Sequence, residues 1–357
     1  MDIAQIDKNF ALNAIQEKDV VWKNALDRPF SLHSVFYDEK AERYARMPDE
    51  IASQVSDGVR GLSTHTAGGR IRFATDSPYV AVKAVVPSGW VMSHMPINGS
   101  HGFSLYENGK YVFRFSNVAT NIVNTGNPLS AVEGIYFSPH NGVKEYELYF
   151  PLYNGVKHLF IGTKEGYSIQ DPAPYPCAKK AVFYGSSITQ GGCASHAGND
   201  YESHLSRWLG FDFINLGFSG NGKAEPIMCD YLADMHADVY VLDYDHNAPS
   251  VAHLQSTHLP LYETIRKKNP NAPIVFISRP DWDKDPNCPA RRQVIRNTYE
   301  TAKARGDKKV WFIDGETLFG TDDRDACTVD NCHPNDLGFY RMAQTIRPVL
   351  AETLKDE

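Results

Sequence analysis

A short stretch that contains two serines is the first candidate for chemistry in this sequence. An apolar run, Ala181 to Tyr184, leads into Gly185 and the serine pair, and two glycines follow at 191 and 192. A buried parallel strand that ends in this way delivers a hydroxyl to the carboxyl edge of a sheet. Gly185 permits a sharp turn, and a helix that opens after it would offer unpaired N–H groups. These conditions suit a nucleophile whose product is an oxyanion. The alternative is an ordinary serine-rich loop between a strand and a helix.

A nucleophilic serine would need other polar groups at the same edge of the sheet. The sequence has three further polar loops, at residues 215–222, 243–247 and 330–334. The first two follow predicted strands, and the third precedes the last predicted helix. Function collects at the carboxyl ends of parallel strands, so we expect these loops to converge on the serine.

The elements that position these loops alternate between strands and helices. Several strands, such as Val239 to Leu242, are continuous apolar runs, which is typical of burial on both faces. Five β-α units predict a doubly wound parallel sheet of flavodoxin type. The predicted strands are 180–185, 211–218, 238–244, 272–278 and 309–313. The predicted helices are about 200–209, 224–236, 252–268, 290–305 and 337–354.

The preceding part of the chain has a different pattern. Short, often alternating segments rich in aromatic and β-branched residues are separated by Gly and Asn turns, which predicts an antiparallel, jelly-roll-like β-sandwich. Residues 30–36 predict one more strand and residues 38–46 a short helix. The main predicted strands are 70–74, 80–86, 103–106, 111–115, 146–150 and 158–162.

A proline-rich joint separates the two patterns. Residues 172–176 include three prolines, and such a segment favours a stiff, extended connector. We therefore predict a β-sandwich accessory domain over residues 1–170, a linker over 171–177 and a catalytic domain over 178–357.

The order of the four polar blocks resembles that of the SGNH (GDSL-type) hydrolases over residues 178–357. By this resemblance, Ser187 is the nucleophile, His333 takes its proton and Asp330 orients the imidazole. The resemblance also implies an oxyanion hole made by the Ser187 N–H, the Gly220 N–H and the Asn247 side-chain amide. It implies no cofactor.

The sequence departs from the family pattern at two places. Ser186 stands where the family usually has Asp, and the usual Gly-x-Asn-Asp block reads Asp245-His-Asn-Ala248. Asp245 and His246 are candidates for substrate binding; the alternative is that their own hydrogen bonds hold them in the loop. Trp282 is a candidate for stacking on a sugar, and a partly buried loop aromatic is its alternative. The aromatic loop 88–96 either packs in a core or reaches over the site.

The implied reaction is ester hydrolysis through an acyl-enzyme. A jelly-roll-like domain in front of an SGNH domain resembles several carbohydrate esterase families, so we hypothesise a carbohydrate O-acetylesterase. A small-ester or lysophospholipid acylhydrolase is the second hypothesis. An inactive, carbohydrate-binding protein on a hydrolase fold is the third.

Composition limits the other classes. A net charge of −7 argues against nucleic acid and anionic membranes as partners, and no apolar run reaches transmembrane length. No signal sequence is visible, which favours the cytoplasm; a secreted chain that had lost its signal would look identical.

The six cysteines have no CxxC spacing, so free thiols are expected, with a Cys327–Cys332 bridge as the alternative. His253 and His258 are five residues apart and HExxH is absent, so no metal site is expected. The sequence does not determine the oligomeric state, and a homo-oligomer is one alternative.

Overall fold

The C-terminal part is an α/β sandwich around a parallel sheet. The computed structural model describes residues 15–87, 91–116, 129–280 and 285–355. The strands are β13 (Lys180–Gly185), β14 (Asp212–Gly217), β15 (Val239–Asp243), β16 (Ile274–Ile277) and β17 (Val310–Ile313). The sheet has the strand order β14-β13-β15-β16-β17, and every neighbouring pair is parallel. This order confirms the predicted flavodoxin-like topology.

Helices cover both faces of this sheet because successive side chains of each strand point to opposite sides. In β13, Ala181 and Phe183 belong to one buried apolar cluster, and Val182 and Tyr184 belong to another. The helices are α4 (Tyr201–Leu209), α5 (Pro226–Asp234), α6 (Val251–Lys268), α7 (Cys288–Ala304) and α8 (Asp336–Thr353). Helices α4 and α8 pack on the first face, and α5, α6 and α7 pack on the second.

The N-terminal part is an antiparallel β-sandwich, as predicted. One sheet has the order β1-β11-β6-β9; the other has β12-β5-β10-β7-β8, with β2 beside β5. Residues such as Phe73, Val82, Leu148 and Ile161 form the core between them. The strands are β1 (Val20–Asn24), β2 (Ser31–His33), β5 (Arg70–Thr75), β6 (Tyr79–Pro87), β7 (Phe103–Glu107), β8 (Lys110–Phe115), β9 (Leu129–Phe137), β10 (Lys144–Tyr149), β11 (His158–Lys164) and β12 (Ile169–Gln170).

The short helix predicted at residues 38–46 is wrong. These residues belong to a hairpin of β3 (Phe36–Asp38) and β4 (Arg43–Ala45). The Asp38 carboxylate accepts the N–H groups of Lys40 and Ala41, both at 3.0 Å, and this local bonding competes with a helix. The helices follow later, as α1 (Asp49–Val55), α2 (Asp57–Leu62) and the single turn α3 (Ile97–Ser100). Strands β1 and β9 were not predicted either.

The β-sandwich and the α/β part share one apolar cluster. Leu152 and Tyr153 of the sandwich side pack in the same cluster as Phe183 and Ile188 of the α/β side. The division of the chain at residues 171–177 stays a prediction. Among the helices within the described residues, none is both long enough and apolar enough to cross a membrane.

Candidate active site

Ser187 lies in a tight turn at the carboxyl end of β13. Its side chain is almost buried, with 6% of the residue exposed. A Cβ at Gly185 would lie 1.9 Å from Thr189 Oγ1, so the turn requires glycine there. No regular helix opens directly after Gly185 in the described residues, and the left-handed Gly191 (φ 86°) and Cys193 (φ 76°) would interrupt one. The next regular helix is α4.

The structure brings Ser187, His333 and Asp330 into one hydrogen-bonded chain. His333 Nε2 lies 2.9 Å from Ser187 Oγ, and His333 Nδ1 lies 2.7 Å from Asp330 Oδ2. Nδ1 donates to the carboxylate in the tautomer that leaves the Nε2 lone pair for the serine hydroxyl. This is the geometry that a general base needs in order to remove the hydroxyl proton.

The loop before α8 holds Asp330 in its ionised form. Its Oδ1 accepts the backbone N–H groups of Cys332 (3.1 Å) and His333 (2.7 Å). Burial acts to raise the pKa of Asp330, but the hydrogen bonds from the His333 backbone and ring outweigh it and lower the pKa below its ordinary value. An ionised Asp330 stabilises the imidazolium that would form after proton transfer.

The two other candidate donors of the oxyanion hole lie on neighbouring loops. Gly220 has φ 69°, so its backbone conformation favours glycine. Asn247 ends a short 3₁₀ turn, and its Oδ1 accepts the Gly222 N–H at 3.2 Å, which leaves its NH₂ group as a donor. Gln190 supports the same loop, because its Oε1 accepts the Ser219 N–H at 3.0 Å.

The remaining predicted substrate contacts differ in their surroundings. Asp245 is 1% exposed, and its carboxylate accepts from Arg291 Nε at 2.8 Å and from the Arg279 N–H at 2.9 Å. These contacts favour a residue held in its loop over a substrate ligand. His246 Nδ1 lies 3.9 Å from Cys332 Sγ, beside the catalytic loop, and its buried Nε2 has no partner among the described residues. Trp282 lies outside the described residues.

The β-sandwich supplies residues to the site that the sequence did not identify as functional. Tyr153 donates its hydroxyl to the Ser187 carbonyl at 3.1 Å. His94, from the loop after β6, has its ring centroid 5.5 Å from that of His333. The sequence left two alternatives for the 88–96 loop, packing in a core or reaching over the site. In its described part, residues 91–96, Met95 is buried and His94 lies beside His333, so the loop does both. Its sulfur-rich, histidine-containing sequence was the one available signal.

The structure shows the surroundings of the histidines and cysteines that were considered as metal ligands or disulfide partners. His253 and His258 make structural hydrogen bonds, to the Lys223 carbonyl at 2.9 Å and the Thr298 hydroxyl at 2.8 Å. Cys327 and Cys332, which both lie in the described part of the chain, form no disulfide with each other. Within the described part of the chain, the group with possible metal ligands is His94, Cys193 and His333.

Family models match both parts of the chain. Residues 178–351 match the model of the GDSL-like lipase/acylhydrolase family. Residues 20–169 match the model of the N-terminus of SGNH-hydrolase-type esterases. No curated protein sequence matches the chain.

Solved structures extend the likeness over nearly the whole chain. The salicylyl-acyltransferase of a tetracycline biosynthetic pathway superposes with a TM-score of 0.76 at 19% identity, covering 94% of this chain and 98% of that one. An acetyl xylan esterase from the rumen bacterium Butyrivibrio proteoclasticus gives 0.62 at 14% identity, covering 94% and 98%. These two show the fold alone. A Bacteroides ovatus protein described as a GDSL-like lipase gives 0.81 at 30% identity, covering 95% and 99%. With both of its parts matched in this way, the chain belongs to the GDSL-like (SGNH) lipase/acylhydrolase family.

Proposed function

We propose that this protein is a serine esterase that removes O-acetyl groups from carbohydrates. The observation that carries the proposal is the chain of hydrogen bonds from Ser187 Oγ through His333 to Asp330. A serine hydroxyl is a weak nucleophile at neutral pH and becomes effective when an oriented base takes its proton.

In the proposed reaction, Ser187 Oγ attacks the acetyl carbonyl carbon while His333 Nε2 takes the hydroxyl proton. Negative charge then develops on the carbonyl oxygen. The Ser187 N–H, the Gly220 N–H and the Asn247 NH₂ are proposed to stabilise that charge. His333 gives the proton to the sugar oxygen as its bond to the acetyl carbon breaks, so the sugar leaves as an alcohol and the acetyl group stays on Ser187.

Deacylation repeats these steps with water as the nucleophile. His333 removes a proton from water, the second tetrahedral intermediate collapses, and acetate leaves as Ser187 regains its proton. The chain from Asp330 to Ser187 supplies the acid and the base for both half-reactions.

Two features support a small acyl group on a carbohydrate alcohol. The first is the position of Ser187, which is nearly buried beside His333, and the His333 ring in turn lies 5.5 Å (centroid to centroid) from that of His94 in the sandwich loop. The second is the shared two-part architecture with structures that include an acetyl xylan esterase. That likeness concerns the fold, so the acetyl substrate is part of the proposal.

An acetate-release assay over acetylated xylan, mannan and pectin fragments tests the substrate class. We expect release from at least one polysaccharide, and we expect Ser187→Ala to lose at least about 10³-fold in rate. The matched control is Ser186→Ala, which removes the adjacent buried hydroxyl. That hydroxyl accepts the Ile188 N–H at 3.2 Å.

A chain-length series separates the acetylesterase from other acylhydrolases. p-Nitrophenyl acetate should be hydrolysed faster than the octanoate. A preference for octanoate together with inactivity on every acetylated glycan would overturn the acetylesterase and favour an acylhydrolase of longer esters. Equal ester hydrolysis by wild type and Ser187→Ala would contradict the mechanism itself.

A further inference from the structure

Three side chains near Ser187 form a cluster in which the proposed esterase reaction uses His333 but not His94 or Cys193. The candidate ligand atoms of His94, Cys193 and His333 all lie within 4.8 Å of one another. Cys193 is 4% exposed, and the two histidines are half-buried. The three residues come from the loop after β6, the turn after β13 and the loop before α8. No local spacing could therefore reveal the cluster.

The donor set indicates which ion it could hold. Two imidazoles and one thiolate suit zinc, whereas magnesium and calcium prefer oxygen ligands. Zn–N bonds of about 2.0–2.1 Å and a Zn–S bond of about 2.3 Å place tetrahedral ligand atoms roughly 3.3–3.6 Å apart. A pair of ligand atoms at the 4.8 Å limit would have to approach by roughly 1.2–1.5 Å to reach that size.

The bonding of His333 prepares it for a metal. Its Nδ1 lies at hydrogen-bond distance, 2.7 Å, from Asp330 Oδ2. In the tautomer in which Nδ1 donates to this carboxylate, Nε2 carries the lone pair. A carboxylate that holds one imidazole nitrogen while the other nitrogen binds zinc is a recurrent arrangement in metal sites. That same lone pair faces Ser187 Oγ at 2.9 Å and is the one the proposed esterase uses as a base.

The backbone at Cys193 is a separate observation. Its φ of 76° lies in the left-handed region, which non-glycine residues other than Asn and Asp seldom occupy. Such strain persists where the surrounding structure requires a particular side chain, and it is common at functional sites. The thiol of this residue lies within 4.8 Å of the candidate ligand nitrogen of His333.

We propose that His94, Cys193 and His333 form a zinc site that reversibly inhibits the enzyme. Zinc binds both imidazoles and the Cys193 sulfur, and the thiol releases its proton to solvent. Water fills the fourth position. Bound zinc occupies the His333 lone pair, so the serine cannot be deprotonated and the zinc-bound form is inactive.

Cobalt titration tests the site without reference to activity. Co²⁺ replaces zinc as a spectroscopic probe, and a cobalt–thiolate bond gives a charge-transfer band in the near ultraviolet. Wild type should show the band with one equivalent of metal. Cys193→Ser should abolish it, and His94→Asn should weaken metal affinity at least ~10-fold. Cys229→Ser, at a buried cysteine of α5, and His236→Asn, at an exposed histidine, are the matched controls and should keep it.

Two further experiments distinguish a failure of the zinc site from a failure of the proposed esterase, on which the inhibitory role rests. Ser187→Ala should keep the cobalt band while losing hydrolysis, so metal binding is measurable even if no ester proves to be a substrate. Zinc should inhibit p-nitrophenyl acetate hydrolysis by wild type, a chelator should reverse the inhibition, and His94→Asn should be at least ~10-fold less sensitive. Circular dichroism checks that each variant is folded. An unchanged cobalt band in folded Cys193→Ser would overturn the site. Unchanged zinc sensitivity in folded His94→Asn would overturn the role of His94 and with it the three-ligand site.

Discussion

At the scale of single residues, Asp330 has two tasks in one short loop. One carboxylate oxygen faces the His333 ring, and the other accepts the Cys332 and His333 N–H groups. The Asp330 carboxylate therefore orients the His333 ring and also holds the backbone of its own loop.

Asp330→Asn separates these two tasks, because the amide can keep an acceptor for the backbone while it loses the charge. We expect kcat for p-nitrophenyl acetate to fall about 10³–10⁴-fold with little change in Tm. Asp325→Asn, at an exposed position nearby, is the control for loss of a surface charge. A decrease of less than about tenfold in Asp330→Asn would show that the imidazolium does not rely on this carboxylate.

Asn247 also combines an acceptor with a donor. Its Oδ1 accepts the Gly222 N–H, so Asn247→Asp can keep that bond while replacing the proposed oxyanion donor with a negative charge. We expect kcat to fall at least about 10²–10³-fold in Asn247→Asp and in Asn247→Ala. Thermal unfolding should show little change for the Asp variant. Near-wild-type kcat in a folded Asp variant would remove Asn247 from the oxyanion hole.

At the scale of elements, a buried arginine fixes the end of β14 to the sandwich side. Arg46, just after β4, donates to the carbonyls of Gly217 (2.6 Å) and Leu62 (2.7 Å). Its Nε donates to the His65 carbonyl at 2.9 Å. Gly217 immediately precedes the loop that carries Gly220, so Arg46 anchors the base of the proposed oxyanion loop.

Arg46→Met should remove the side-chain donors of these three carbonyls, of which the Leu62 carbonyl keeps the His65 N–H at 3.1 Å. We expect a loss of about 3 kcal/mol in unfolding free energy, measured by urea denaturation. As a positioning residue, it should also lower kcat more than it changes KM in the folded fraction. Arg60→Met removes an exposed ion pair with Asp49 (2.8 Å) and should cost less than about 1 kcal/mol. A stability loss with unchanged kcat would make the role of Arg46 purely structural.

At the scale of the whole molecule, a buried ion pair joins the sandwich to the parallel sheet. Arg70 of β5 lies 2.5 Å from the carboxylate of Asp212 at the start of β14. His33 (3.2 Å) and Lys180 (3.1 Å) contact the same carboxylate. Burial acts to raise the pKa of Asp212, but the His33 hydrogen bond and the charge of Arg70 outweigh it and hold the pKa well below its usual range.

The lowered pKa of Asp212 makes the stability that this ion pair contributes sensitive to acid. Because the folded pKa lies below the unfolded value of about 3.9, the unfolded chain binds more protons in this range. The stabilising contribution of Asp212 is therefore complete above about pH 5 and is lost progressively as the pH falls through and below the unfolded pKa. Urea midpoints measured between pH 3 and 6 should decrease toward acid, and Asp212→Asn should show a shallower decrease. Identical slopes in the two proteins would contradict the assignment.

Much of the catalytic half could be predicted from local sequence. The apolar runs of β13 and β15 and the amphipathic helices are set by side-chain periodicity, which is a local property. The predicted bounds therefore lie within two residues of those observed. The sandwich was less predictable, because local hydrogen bonds such as those of Asp38 override propensity. Nothing local marked β1 or β9, which depend on pairing with distant strands.

The sequence by itself determined the order of elements and the identities of Ser187, His333 and Asp330 as candidates. Only the tertiary structure decided which residues surround them. His94, Tyr153 and Cys193 reach the site from separate parts of the chain, through packing between the sandwich and the sheet. Strand and helix patterns repeat over a few residues, whereas contacts between parts depend on how whole buried surfaces fit, and no local motif encodes that fit.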